Sequence, residues 1–201
     1  MGSRGKQEMK MLVTGGNRGL GLTLVNHFNA VSISRQQGYD ITKQVKEIAE
    51  KSLEFDIFVN NAFDGPPHEP WANFAQTNLL YEIYQLWKAN DKPGYIFNIG
   101  SVGAKSIVGP EPMFETYRTA KAALSHASKQ CTAAFKNDLV KFKTTLITLD
   151  RLDTELSISR PSWTGNGIDC KDVAEFIDYA TMVKPNICVE EIILYVNFNS
   201  K

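Results

Sequence analysis

The chain has 201 residues, a length that one hydrophobic core can serve, and its 43% hydrophobic and 22% charged residues are ordinary for a soluble globular protein. Its 22 basic and 22 acidic residues cancel, which argues against a polyphosphate partner such as nucleic acid. No apolar run approaches the roughly 20 residues of a bilayer span, and residues 1–8 read as a disordered polar tail, not a secretory signal, ahead of one domain over 9–201.

In chain order, apolar β-rich runs alternate with helical periodicity. Residues 10–14 read as a strand, followed by a helix on which Leu20, Leu24, Val25 and Phe28 share a face. Residues 30–34 read as a second strand, and Thr42 as the N-cap of a helix with Val45, Ile48 and Ala49 inside. A strand over 56–60 leads through the Gly/Pro-rich loop 64–70 to a long helix over 71–88. A strand over 95–99, a second long helix over 115–135, a strand over 144–149, a short helix over 172–181 and a last strand over 192–197 complete the chain. This alternation predicts a parallel sheet with helices on both faces, its strands apolar throughout because both sides are covered. Only residues 35–41 separate the second strand from Thr42, too few for a helical crossover. We therefore expect the second crossover helix and the third strand to be reduced or absent, with Asp40, Ile41 and Thr42 in a loop at one sheet edge.

Cys131, Cys170 and Cys188 are far apart, as are His27, His68 and His126, and none has metal-ligand spacing. They read as reduced thiols and structural histidines of a cytoplasmic protein with no metal site.

The strongest local signal is Thr14-Gly15-Gly16-Asn17-Arg18-Gly19-Leu20-Gly21, between the first strand and the first helix. Glycines there permit a tight turn and let a phosphate approach the backbone at a helix N-terminus. Further along stand Asp40-Ile41-Thr42, Val59-Asn60-Asn61-Ala62, Asn78 in a helix, Gly100-Ser101 at a strand end, and Tyr117-Arg118-Thr119-Ala120-Lys121. Tyr-x-x-x-Lys occurs three times, at Tyr39/Lys43, Tyr84/Lys88 and Tyr117/Lys121. Only the third follows a strand ending in serine and opens a long helix rich in small residues.

In this order the set resembles the short-chain dehydrogenases and reductases, over nearly the whole chain. The resemblance implies a Rossmann-like doubly wound sheet and hydride transfer between a nicotinamide cofactor and a carbonyl or alcohol substrate. Tyr117 would be the general acid/base and Ser101 would hold the substrate oxygen. Lys121 would bind the nicotinamide ribose, and Asn78 would support a proton relay through water. Cofactor contacts fall to Thr14, Gly15, Asn17, Arg18, Gly19, Leu20, Gly21, Ser34, Arg35, Asp40, Ile41, Asn60, Asn61, Ala62, Tyr117, Lys121 and Thr154. The chemistry suits these residue types: a phenol of pKa about 10 is a poor acid/base near neutrality, and an ammonium one helical turn away stabilises its phenolate.

Where a cofactor site for NAD places an acid after the second strand, this chain has Ser34-Arg35, with Arg18 in the glycine turn. Guanidinium groups suit a 2′-phosphate, so NADP(H) is expected over NAD(H). The chain departs from the resemblance where Phe63 replaces a glycine after Asn60-Asn61-Ala62, where Leu149-Asp150 replaces Pro-Gly, and in a longer Ser101–Tyr117 segment. A non-catalytic NADP(H)-binding sensor or scaffold on the same fold is the alternative. Segment 156–170, with Pro161, Trp163, Gly165 and Gly167, is the expected lid. Surplus apolar residues on helices 71–88 and 115–135, among them Leu79, Tyr81, Ile83, Tyr84, Leu86 and Trp87, predict a homodimer or a dimer of dimers through those helices.

Overall fold

The structure is a computed structural model that describes residues 9–63, 74–106, 115–159 and 165–197. Six strands form one parallel sheet: β1 (Met11–Thr14), β2 (Val31–Ile33), β3 (Ile57–Asn60), β4 (Gly94–Ile99), β5 (Phe142–Leu149) and β6 (Glu191–Leu194), in the order β2-β1-β3-β4-β5-β6. The helices are α1 (Gly19–Phe28), α2 (Val45–Ser52), α3 (Ala75–Ala89), α4 (Glu115–Lys136), the single turn α5 (Glu155–Ile158), and α6 (Cys170–Met182).

Every residue of β1, β3 and β5 is buried. The two-residue alternation of a strand sends them to opposite sides of the sheet. Leu12, Phe58, Ile96 and Phe142 join Ile48 of α2, Leu80, Ile83 and Trp87 of α3 and Leu124 and Ala127 of α4 in one core layer. Met11, Val13, Val59, Phe97, Ile147 and Leu149 meet Leu20 and Leu24 of α1 and Val173, Ala174 and Ile177 of α6 in the other. Strands buried along their whole length, Lys143 and the threonines of β5 included, follow from a sheet covered on both faces.

The shortened edge is as expected. Between β2 and α2 lies a single 3-10 turn at Arg35–Gln37, and the sheet ends at β2. The crossover from β2 passes through α2 straight to β3 on the far side of β1. Strand order thus reverses about β1, which leaves a crevice outside the strands' C-terminal ends, the usual place for a ligand in an open α/β sheet. One detail differs from the sequence expectation. Gln44, not Thr42, precedes α2, because the Thr42 hydroxyl and backbone N–H are both committed to the Asp40 carboxylate, at 2.6 and 2.8 Å.

The expected surplus on the two long helices is mostly absent. Leu79, Ile83 and Trp87 are fully buried, and Tyr84 and Leu86 pack on the same core. Tyr81 alone of those six is exposed, and its hydroxyl donates to Gln130 of α4 at 2.6 Å. The tail over 1–8, the start of the first long helix at 71–73, and Pro161 and Trp163 of the expected lid lie outside the described residues.

The C-terminal ends of β1 and β3 are tied by Thr14. Its buried hydroxyl accepts from the backbone N–H groups of Asn61 and Ala62, both at 2.9 Å, and donates to the Val59 carbonyl at 3.3 Å. Thr14→Val keeps the shape and removes all three bonds, leaving two N–H groups without their partner. We expect a loss of about 1–3 kcal/mol in urea unfolding; an unchanged midpoint would show that the tie carries no energy.

Candidate active site

The glycine turn owes its shape to close packing. Gly15 and Gly19 adopt φ of +70° and +51°, in the left-handed region that favours glycine. A Cβ on Gly21 would stand 2.1 Å from the Gly15 carbonyl oxygen, so the turn folds back onto the first turn of α1. The Asn61 amide crosses to the same place, donating to the Thr14 carbonyl at 2.9 Å and to that of Gly15 at 3.4 Å. Thr154 closes the turn from the opposite side: a Cβ on Gly19 would meet its methyl at 3.4 Å. Its hydroxyl meanwhile caps α5 by accepting from Ser157 N–H.

At the outer corner, the Asn17 side chain donates to the Ser34 hydroxyl at 2.5 Å and to Gln36 Oε1 at 2.9 Å. This bond brings the end of the glycine turn to the end of β2, with the exposed residues Arg18 and Arg35 adjoining the two bonded residues. The Asp40 carboxyl is held below its ordinary range, chiefly by the Thr42 hydroxyl. Leu20, Ile41 and Thr14 are buried, so their side chains belong to the core, and only their backbones can serve a ligand.

Asn60 differs from the sequence expectation in the same sense. It is fully buried, and its Nδ2 donates to the Gln76 carbonyl at 2.9 Å and to Asn98 Oδ1 at 3.0 Å. Its side chain braces the helix side of the sheet instead of facing the crevice.

Lys121 lies at the centre of the other end. It is buried, and its Nζ donates to Gln76 Oε1 at 2.7 Å and to the Ile99 carbonyl at 2.8 Å. Burial pushes its pKa down to about 7. The Nζ stands 5.0 Å from the ring centre of Phe63 and 5.8 Å from that of Tyr117, and the two rings meet edge to face at 5.0 Å. Ser101 caps a short 3-10 turn, its Oγ accepting from Gly103 N–H at 3.1 Å. A Cβ on Gly103 would touch both Ser101 Oγ, at 3.3 Å, and Tyr117 Cε1, at 3.6 Å. The serine hydroxyl and the tyrosine ring therefore flank Gly103 together.

Ser101, Tyr117 and Lys121 are thus brought together, and Asn78 is not. Asn78 is exposed on α3, on the same side as Tyr81, and Gln76 reaches Lys121 in its place. The sequence carried one signal for Gln76: it continues the apolar stripe of Leu80, Ile83 and Trp87 at helical spacing, where a polar residue must be buried. The other two Tyr-x-x-x-Lys pairs lie elsewhere. Lys88 stands 5.9 Å over the Tyr84 ring, but Tyr84 packs on Phe142, at the start of β5. Tyr39 and Lys43 flank the Asp40 turn.

The end of β5, where Leu149-Asp150 departs from the resemblance, extends the sheet. Asp150 N–H donates to the Leu194 carbonyl at 3.0 Å, and its carboxylate accepts from Val196 N–H at 3.4 Å. The following segment is pinned by a parallel bridge between Leu152 and Ile168. Among the described residues no group of three His, Cys, Asp or Glu side chains could hold a metal ion, and no helix is long and apolar enough to cross a membrane.

No protein-family model matches the chain, and no curated protein sequence matches it. Solved structures do. A short-chain dehydrogenase from Burkholderia cenocepacia J2315, in complex with NADP, aligns over 94% of this chain and 88% of its own, with TM-score 0.68 and 19% identity. A 3-ketoacyl-(acyl-carrier-protein) reductase from Brucella melitensis, complexed with NADH, covers 92% and 96%, with TM-score 0.70 and 19% identity. A short-chain dehydrogenase from Streptomyces avermitilis covers 93% and 89%, with TM-score 0.70 and 17% identity. A parallel six-stranded sheet of this order, aligned with such structures over more than nine-tenths of its length, has the fold of the short-chain dehydrogenases and reductases.

Proposed function

We propose that the protein is an NADP(H)-dependent oxidoreductase of the short-chain dehydrogenase/reductase family, exchanging hydride with a carbonyl or alcohol substrate. The observation that carries this is the meeting of Ser101, Tyr117 and Lys121 at the C-terminal edge of the sheet, on the same edge as the glycine turn. In the reductive direction a bound nicotinamide would supply hydride to the carbonyl carbon. Ser101 Oγ holds the carbonyl oxygen, and Tyr117 gives it a proton. The Lys121 ammonium stabilises the phenolate left behind. The Gly15–Gly21 turn and the N-terminus of α1 would take the cofactor's diphosphate, with Thr154 and Asn61 beside it. Backbone groups of Ala62 and Asn60, and the Asp40–Ile41 turn, would line the rest of the cofactor's path.

Several of the similar structures hold NADP and others NADH. The arginines at the Asn17–Ser34 corner favour the phosphorylated form here. Arg35→Asp is expected to lower the NADPH-to-NADH ratio of kcat/KM by about 10- to 100-fold, since a charge-assisted bond is worth about 1.5–3 kcal/mol. An unmoved ratio would remove Arg35 from the 2′-phosphate site.

One observation favours the sensor reading. The Phe63 ring lies against both Lys121 and Tyr117, where the nicotinamide ribose is expected. A panel of aldehydes, ketones and quinones with NADPH, beside a direct NADPH titration, separates the two. Binding and turnover support the enzyme, and binding without turnover on any substrate supports the sensor. With an active substrate in hand, Tyr117→Phe should abolish measurable turnover, a loss on the order of 10²-fold or more, and leave NADPH affinity nearly unchanged. Substantial residual activity would sink the assignment of Tyr117.

Self-association through α3 and α4 belongs to the same proposal; Tyr81 of α3 and Ala133 of α4 are both exposed. Light scattering during gel filtration should give the mass of two or four chains. A single-chain mass at micromolar concentration would contradict it.

A further inference from the structure

The strongest observation that the proposed chemistry leaves unused is the carboxamide of Gln76. It is 2% exposed, on the first turn of α3, and both its polar atoms are engaged. Nε2 donates to the Asn60 carbonyl at 2.8 Å, and Oε1 accepts from Lys121 Nζ at 2.7 Å. The orientation is fixed by chemistry: a flipped amide would set oxygen against the Asn60 carbonyl and NH2 against the lysine, two contacts without a shared proton. The Asn60 side chain returns the bond, donating to the Gln76 carbonyl. A loop at the end of β3 and the first turn of α3 thereby grip each other, and the free end of the grip is an acceptor aimed at Lys121.

We propose that Gln76 is a positioning residue, whose Oε1 holds the Lys121 ammonium beside Tyr117 and keeps it charged. The role in catalysis rests on the oxidoreductase reading above; the hold on Lys121 does not. The surroundings of Lys121 explain the need. On α4 the titratable group facing it is Tyr117, one turn earlier. The loop after β3 faces it with the Phe63 ring, β4 with the Ile99 carbonyl and α3 with Gln76. None of these carries a formal negative charge, and burial is the cause acting on its pKa. Two carbonyl oxygens and an aromatic face are what offset the desolvation of the ammonium. Of the two acceptors, the Gln76 oxygen alone belongs to a side chain, so it is the acceptor that a substitution can remove or charge.

The test follows the Lys121 charge directly. The full-length protein is labelled with ¹³C,¹⁵N-lysine, and the side-chain carbon next to Nζ is followed by NMR from pH 5 to 10, with Lys121 assigned by its loss in Lys121→Met. Gln76→Leu removes the acceptor and is expected to lower the Lys121 midpoint. Gln76→Glu gives up the Nε2 bond to the Asn60 carbonyl but sets a carboxylate against Nζ and is expected to raise the midpoint, each variant shifting it by about one pH unit or more. With an active substrate, the kcat–pH limb of each variant should move with its midpoint while NADPH affinity stays close to that of the parent. Should Gln76→Leu fail to fold, the isosteric Gln76→Glu carries the test alone. A midpoint unmoved by Gln76→Glu would overturn the proposal, as would a moved midpoint with an unmoved kcat–pH limb. Midpoints that move in a protein that turns over no substrate would uphold the grip on Lys121 and overturn the oxidoreductase reading instead.

Discussion

Two adjacent asparagines at the end of β3 face opposite ways, and the whole ligand edge is arranged around that division. Asn61 reaches back over Thr14 and Gly15 and holds the glycine turn in its folded shape. Asn60 reaches into the core, to Gln76 and Asn98, and braces the helix that meets Lys121. The alternation of side chains along a strand makes this possible: Val59 goes to the α1/α6 layer, so Asn60 goes to the α3/α4 layer. The Thr14 hydroxyl then fixes where the chain leaves the strand, by taking the N–H groups of Asn61 and Ala62. Three residues past Asn60, Phe63 arrives on Lys121 and Tyr117. The glycine turn and the tyrosine–lysine pair are separate in sequence, and they are joined mechanically through this short loop.

The consequence for chemistry is a lysine unlike a solvated one. Its Nζ is bonded to two carbonyl oxygens and lies over aromatic rings, and burial leaves its pKa at about 7. A group so placed loses its proton more readily than a solvated lysine, so its partners bear directly on its charge. The sheet's outer edge shows a different economy. With one strand and its helix omitted beyond β2, the corner is built from side-chain bonds among Asn17, Ser34, Gln36 and Gln37, and from the Asp40–Thr42 turn. Polar contacts there do what a further strand would otherwise do, and they leave Arg18 and Arg35 exposed beside the crevice.

Most of the fold was legible in the sequence because apolar runs buried on both faces need no pairing information to be seen. The missing helix and strand beyond β2 were legible for a simpler reason, since the seven residues 35–41 cannot hold a helical connection to a further strand. The meeting of Ser101, Tyr117 and Lys121 was legible in the order of the motifs, and the placing of Gly15, Asn61 and Ser101 in their positions just past a strand's end. Gln76 was missed because a glutamine in a helix has no motif, and its burial depends on α3 lying against β3 and α4. Asn78, two residues on, matched the resemblance by position, but the helix turns it outward. The surplus apolar surface inferred on α3 is mostly taken up, for a related reason. The neighbours of α3, α2 and β5 among them, take up Tyr84, Leu86 and Trp87, and a single helix pattern does not reveal how many neighbours it has.

The central claim is that hydride passes between a nicotinamide and a carbon beside Ser101 and Tyr117. It is tested most directly by supplying NADPH deuterated at the reactive carbon of the nicotinamide, with a panel of carbonyl compounds, and weighing the alcohols formed. Hydride transfer at this site gives an alcohol carrying one deuterium on its carbinol carbon, when both hydrogens of that nicotinamide carbon are deuterium, formed by the parent protein and not by Tyr117→Phe. NADPH bound at the glycine turn, with no deuterium in any product, would contradict it.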